Sequence, residues 1–304
     1  MSSFSLRPAR AADTGAVADV VTSMEVARHG HSTYALSDLE EEWWKKDLER
    51  DTVVVVDGER VVGYGVLEER GELFRCEGYV HPSAFGRGVG AQLVAALEAG
   101  AAGRGARRLQ NGVLEDDLDA QALLTARGYG VVRRFREMRI ELTAPPAPAV
   151  WPDGLAADEF EPLRDARAFH AAQQEAFADH WENRPRSFDE WREFHLDTPH
   201  FDPALWSVVR AGGELAAGTI CVDGQYGGGW VTVLFTRRPW RGRGVGAALL
   251  QDAFGKFWAR GQRDVGLGVD AESDTGAFRL YERAGMRPAL GWMMFEKELR
   301  GRAA

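Results

Sequence analysis

One hexapeptide occurs twice in this chain. Gly86-Arg87-Gly88-Val89-Gly90-Ala91 returns as Gly242-Arg243-Gly244-Val245-Gly246-Ala247, 156 residues later. Further on, Ala126-Arg127-Gly128-Tyr129 is answered by Arg283-Ala284-Gly285-Met286 at nearly the same separation. Two matching elements in the same order indicate duplication of a whole domain rather than a short-period solenoid. A length of 304 residues is that of two ordinary domains. Between the copies lies TAPPAPAVWP, where Pro145, Pro146 and Pro148 remove backbone donors and favour extended geometry. The expected organisation is therefore a first domain over 1–143, a linker over 144–152 and a second domain over 153–304.

Each copy reads alike. An opening strand (Ser5–Arg7; Glu159–Glu161) leads into helical regions, Asp13–Met24 and the Trp-rich stretches Asp38–Leu48 and Phe188–Leu196. Hairpins follow, Thr52–Val56 with Arg60–Leu67 about Asp57-Gly58, and Leu205–Arg210 with Glu214–Val222 about Gly212-Gly213. A strand (Leu73–Val80; Trp230–Thr236) then enters the glycine segment. A helix leaves it (Val89–Gly100; Val245–Arg260), and a further strand follows (Arg108–Leu114; Asp264–Val269). A short helix (Ala120–Arg127; Thr275–Ala284) and a last strand close each half. Strands interleaved with helices predict an α/β (α+β) fold, each domain a mixed sheet flanked by helices.

A strand, a turn rich in Gly and Arg, and an amphipathic helix together make an anion site. Glycine lets the backbone approach the anion, and the unpaired N–H groups of the first helical turn point at it. Arg241 and Arg243 add charge-assisted contacts, which suits a pyrophosphate. Walker A is excluded because no Lys-Ser or Lys-Thr follows the glycines. A dinucleotide fingerprint is excluded because Gly242, Gly244 and Gly246 have the wrong final spacing and lie in mid-domain.

Arg241-Gly242-Arg243-Gly244-Val245-Gly246 matches Gln/Arg-x-x-Gly-x-Gly/Ala, the acyl-CoA pyrophosphate loop of the GNAT superfamily of N-acetyltransferases. A second motif agrees. Asp274-Thr275-Gly276-Ala277-Phe278-Arg279-Leu280-Tyr281-Glu282-Arg283-Ala284-Gly285-Met286 resembles that superfamily's Asn-x-x-Ala-x-x-Leu-Tyr-Glu-x-x-Gly-Phe, with Asp for Asn and Met for Phe. The chain is thus similar to tandem GNAT acetyltransferases of the mycothiol-synthase-like group, over nearly its whole length. The resemblance implies two tandem GNAT domains, each with a mostly antiparallel sheet.

It also implies acetyl-CoA as co-substrate and a small-molecule amine as acceptor. Leu234, Phe235 and Thr236 would pair with the pantetheine arm, and a backbone N–H near Phe235 would polarise the thioester carbonyl. Arg241, Gly242, Arg243, Gly244, Val245, Gly246 and Ala247 would hold the pyrophosphate, with Asp274 and Ala277 from the second motif. In the first half the same places fall to Val80, Gly86, Arg87, Gly88, Val89 and Gly90. Tyr281 would be the general acid that protonates the departing thiolate.

The first half departs twice from the pattern. Phe85 stands where Gln or Arg is expected, and Leu124 where the second half has Tyr281. A Leu donates no proton, so the second half is expected to be catalytic and the first non-catalytic. Relatives often carry a Glu on the strand before the loop, but Trp230, Val231, Thr232 and Val233 supply none. Asp270 and Glu272 are the remaining candidates for general base. Asp179, His180 and Trp181 cluster polar and aromatic groups in the region expected to bind the acceptor. The alternatives are acetylation of a cysteinyl pseudodisaccharide, as in mycothiol synthesis, and a non-catalytic acyl-CoA-binding regulatory protein.

Composition narrows the partners. Forty-six acidic against 37 basic residues give a net charge of −9, against general nucleic-acid binding. The start MSSFSLRPARAADTG has no apolar core of signal-peptide length, and no run reaches about 18 apolar residues. A cytoplasmic protein without membrane contact is expected, as a monomer or homodimer. Two cysteines, Cys76 and Cys221, are too few for a zinc cluster, and no metal is expected.

Overall fold

The computed structural model describes residues 4–32, 34–44, 46–225, 227–273 and 276–299. In chain order the first half contains β1 (Phe4–Arg7), α1 (Thr14–His29), α2 (Leu36–Trp44), α3 (Leu48–Asp51), β2 (Thr52–Asp57), β3 (Arg60–Arg70), β4 (Leu73–Val80), α4 (Val89–Gly103), β5 (Arg108–Leu114), α5 (Leu118–Ala126) and β6 (Gly130–Glu141). The second repeats most of this as β7 (Leu155–Glu159), α6 (Pro162–Phe177), α7 (Phe188–His195), β8 (Ser207–Ala211), β9 (Glu214–Gln225), β10 (Gly228–Thr236), α8 (Val245–Ala259), β11 (Asp264–Asp270), α9 (Ala277–Arg283) and β12 (Arg287–Glu298).

The elements form two compact units, and these are not the two sequence copies. One unit comprises residues 1–134 and 291–304, the other 135–290. The two last strands are exchanged. Residues Phe135–Glu141 of β6 pair antiparallel with β11, from Phe135↔Asp270 to Glu141↔Asp264. Residues Trp292–Glu298 of β12 pair antiparallel with β5 in the other unit. The first unit's sheet therefore runs β1-β2-β3-β4-β5-β12 and the second's β6-β11-β10-β9-β8-β7. Division at the proline-rich segment separates the repeats as sequence; the compact units cut the chain inside β6 and β12 instead. Each exchanged strand buries its apolar residues in the unit it joins. Met138 is fully buried in the second unit's core, with Ile140 packed against that core, and Phe295 is buried in the first unit's core.

Both sheets are mixed and mostly antiparallel with flanking helices, as the sequence indicates. One pairing in each is parallel, β4 with β5 and β10 with β11. In both it covers only the start of the strands. The β10–β11 pairing is confined to Gly229↔Val265 and Trp230↔Gly266, and the β4–β5 pairing ends at Cys76↔Asn111. Beyond these points the strands diverge, leaving one edge of β10 and one of β4 without a strand partner among the described residues. β10 is also irregular against β9 between Val231 and Val233, a bulge that β4 does not share against β3.

Two local differences from the sequence reading have plain causes. The second half's opening strand is Leu155–Glu159, not Glu159–Glu161. Pro162 sits in the first turn of α6 and Glu161 is its N-cap, which ends the extended segment earlier. The helix expected over Asp38–Leu48 divides into α2 and α3, because Asp47 caps a new start by accepting the Arg50 N–H.

Candidate active site

The second unit's glycine loop follows β10. Arg238–Trp240 forms a 3-10 turn, Gly242 and Gly244 adopt φ of 73° and 87°, and α8 begins at Val245 with Gly244 as N-cap. Side chains rarely adopt those left-handed values, so the turn demands glycine. Arg241 N–H donates to Arg238 O and Ala247 N–H to Gly244 O. Between them, the N–H groups of residues 242–246 have no acceptor among the described residues. Five successive donors without an acceptor at a helix start are the kind of arrangement that suits an anion. The first unit repeats it, with Gly86 and Gly88 at φ of 71° and 84° and α4 starting at Val89. There the Arg87 N–H is used by Ala84 O. Val80 closes β4 just ahead of this loop, as Thr236 closes β10.

The two motifs of each half meet in space. A Cβ on Gly246 would lie 3.1 Å from Leu280 of α9, and one on Gly90 would lie 3.3 Å from Leu123 of α5. Gly246 is small because the helix bearing Tyr281 packs there. Gly246→Asp is expected to weaken acetyl-CoA binding by roughly tenfold or more, through displacement of Leu280 and repulsion of a pyrophosphate. Calorimetric titration measures this; unchanged affinity would remove the loop from the binding site.

The loop arginines divide differently from the expectation. Arg241 does not point a free cation at the cradle. Its guanidinium donates to Thr236 O at 3.0 Å and to Ala176 O at 2.8 Å. Arg237 pairs with Glu175 at 2.6 Å and Arg238 with Asp179 at 2.5 Å. Three loop arginines thus hold the C-terminal end of α6, where the helix dipole favours cations. Arg243 is exposed. The first unit makes the same junction with reversed chemistry. Arg28, from the end of α1, lies 4.9 Å above the Phe85 ring and pairs with Asp117 at 3.2 Å. Phe85 therefore keeps the loop anchored without an arginine of its own.

Leu234, Phe235 and Thr236 lie on the part of β10 that has left β11. The Phe235 side chain is core, packed edge-on against Phe169 at 5.0 Å, so only its backbone is available to a ligand. Ala277 opens α9, with Gly276 as its N-cap; Asp274 lies outside the described residues.

Tyr281 is 7% exposed. No hydrogen bond of its hydroxyl is seen among the described residues, and burial pushes its pKa up to about 12. The hydroxyl thus keeps its proton across the physiological range, as a general acid must until its base appears. Leu124, its counterpart, is a fully enclosed core residue. Asp270 ends β11, and its carboxylate accepts the Glu272 N–H at 3.0 Å, shaping the turn that carries Glu272. His195 is no alternative base. Buried beside Trp191 and Trp206, its imidazole is pushed down to about 3 and stays neutral.

Asp179, His180 and Trp181 form the turn after α6. Asp179 is taken by Arg238, His180 packs on Phe177 at 4.4 Å, and Trp181 meets Phe135 of β6 at 5.9 Å. Glu182 follows at φ 50°, the one positive value at a non-glycine position among the described residues. The sequence reading missed the contribution of β6, because nothing in its own pattern says which sheet it joins.

The sequence pattern of the GNAT acetyltransferase family matches residues 12–129 and again 150–286. The chain is 36% identical over 255 residues to a mycothiol acetyltransferase of Thermobispora bispora, covering 77% of this chain and 79% of that protein. It is 32% identical over 249 residues to one of Streptomyces scabiei, covering 80% and 76%. The solved structure of a GCN5-related N-acetyltransferase from Sphaerobacter thermophilus superposes with a TM-score of 0.87 at 33% identity, over 98% of this chain and 96% of that one. With two copies of the loop, two copies of the partner helix and relatives that match along both, the chain belongs to the GNAT family, as an acetyl-CoA-dependent acetyltransferase with tandem domains.

Proposed function

We propose that the second unit transfers the acetyl group of acetyl-CoA to a primary amine of a small molecule by direct attack. The proton-retaining hydroxyl of Tyr281 carries this reading, since the preceding residue, Leu280, packs on Gly246 of the donor-rich loop. Residues 242–246 would hold the pyrophosphate through backbone N–H groups, and the free edge of β10 would take the pantetheine arm. The amine attacks the carbonyl carbon, the C–S bond breaks, and Tyr281 gives its proton to the thiolate. The Tyr281 oxygen then recovers a proton from the new amide nitrogen. Asp270 and Glu272 lie near enough in sequence to the motif to accept the ammonium proton through water.

The first unit keeps the cradle but has Leu124 in place of the acid, which supports binding without turnover. A cysteinyl amine on a sugar-containing acceptor is the second reading. The observation favouring it is the 36% identity to a mycothiol acetyltransferase; the absence of a carboxylate from Trp230–Val233 weighs against it.

Thiol release from acetyl-CoA across a panel of primary amines, the cysteinyl glycoside included, tests both. Turnover above the amine-free rate is expected for at least one amine. Release that no amine accelerates would refute the enzyme reading, and a preference for simple amines over the glycoside would refute the second.

A further inference from the structure

The β6 strand carries side chains of the first sequence copy into the second unit's sheet. Residues 135, 137 and 139 alternate onto one face of it, opposite Asp270, Gly268 and Gly266 of β11. Trp230 of β10 lies on that face too. A Cβ on Gly266 would come within 2.4 Å of the Trp230 ring, and the Arg139 guanidinium sits 5.7 Å from the ring centre. At the other end, Phe135 touches Trp181. Glu137 stands between them, and the residue opposite it, Gly268, is exposed and has no side chain to cover it.

Arg139 bridges Glu137 and Asp264. It donates to one carboxylate oxygen of Glu137 only; the other, Oε2, has no partner among the described residues, although the side chain is only 14% exposed. A carboxylate oxygen left open on a mostly covered side chain, on a face shared with Trp230 and opposite a glycine, with Trp181 against the neighbouring Phe135, is a site for a cation that arrives with its ligand. The first unit does not place a carboxylate at this position. There the exchanged strand β12 places Met294 opposite Gly112, which occupies the position of Gly268 in the repeat.

We propose that Glu137 docks the ammonium group of the acceptor, so that a residue of the first sequence copy sets the second unit's preference for cationic amines. This rests on the acetyltransferase reading above. It accounts for a reaction site without a carboxylate on β10, since the charge comes from two strands away. Trp230 and Trp181 supply the walls, which fit the apolar part of an acceptor. Arg139 is a positioning residue, holding the Glu137 carboxylate on the face it shares with Trp230.

The test compares the full-length chain with Glu137→Gln and Glu137→Asp. Benzylamine and tyramine serve as cationic acceptors and aniline as an acceptor that is neutral at the same pH. Thiol release is followed for each, and acetyl-CoA affinity is measured calorimetrically. Glu137→Gln is expected to raise KM for the cationic amines roughly 10- to 100-fold, the loss of a charge-assisted contact. KM for aniline, kcat and acetyl-CoA affinity should stay near the parent values, and Glu137→Asp should recover part of the loss. The proposal is overturned if KM for cationic and neutral amines changes equally, or if the parent enzyme uses aniline as well as benzylamine. If the parent releases no thiol with any amine, the underlying acetyltransferase reading falls and takes this proposal with it.

Discussion

Expressed alone, residues 144–304 are expected not to fold cooperatively, whereas residues 135–290 are. The first fragment follows the proline-rich boundary and lacks β6. Without it, β11 loses the partner of all seven of its residues and the second unit loses Met138 and Leu142 from its core. Each such apolar loss costs about 2–5 kcal/mol, and the missing ladder adds to it, against a total stability of about 5–15 kcal/mol. The fragment also retains residues 291–299, whose Phe295 belongs to the other unit's core. An apolar strand with no sheet to join invites aggregation. The second fragment keeps every strand of its sheet but sheds that orphan. Thermal unfolding followed by near-ultraviolet circular dichroism distinguishes them. Equal, sharp transitions in both fragments would show that the exchanged strand contributes little.

Tyr281→Phe is expected to lower kcat by about 10²–10³-fold while leaving the melting temperature and the acetyl-CoA affinity nearly unchanged. The ring fills the same buried space in both side chains, and the hydroxyl makes no hydrogen bond among the described residues that its removal would break. Only the proton is lost. The pH profile carries a second mark of the same group. Burial raises the hydroxyl's pKa, so its protonated, active form persists as pH rises past the ordinary tyrosine value near 10 and is lost only toward about 12. An alkaline limb near pH 10 would contradict that assignment. A Phe variant within about threefold of the parent would remove Tyr281 from the chemistry.

Much of this was legible in the residues themselves. The loop could be read because its geometry depends on glycines at fixed spacing, and both copies adopt the same left-handed values. The Tyr281 helix could be read because Leu280 must touch Gly246, a contact that fixes residue type in both motifs. The role of Arg241 was not legible. A guanidinium beside a phosphate cradle and one tied to carbonyls at a helix end have the same sequence, and only the fold shows α6 arriving there. Phe85 likewise departs from the motif, yet Arg28, 57 positions earlier in the chain, lies over its ring. The destination of β6 was hidden for a deeper reason. Apolar alternation tells a strand which face to bury but not which sheet edge to join, and two copies of one fold offer equivalent edges.

The exchange also has a consequence in time. The second unit is one continuous stretch, but the first is interrupted by it: residues 1–134 wait at the edge of β5 for a strand that begins 157 positions later, at 291. At ribosomal speeds of about 5–20 residues per second the interval is roughly 8–30 seconds. The part of the chain made first is thus completed second. In the meantime β5 offers an unpaired edge, and the nascent β6 can meet its own copy's sheet before its proper partner exists. The order of synthesis and the order of assembly run in opposite directions. A chaperone that shelters the β5 edge during that interval would raise the yield of the correctly paired protein.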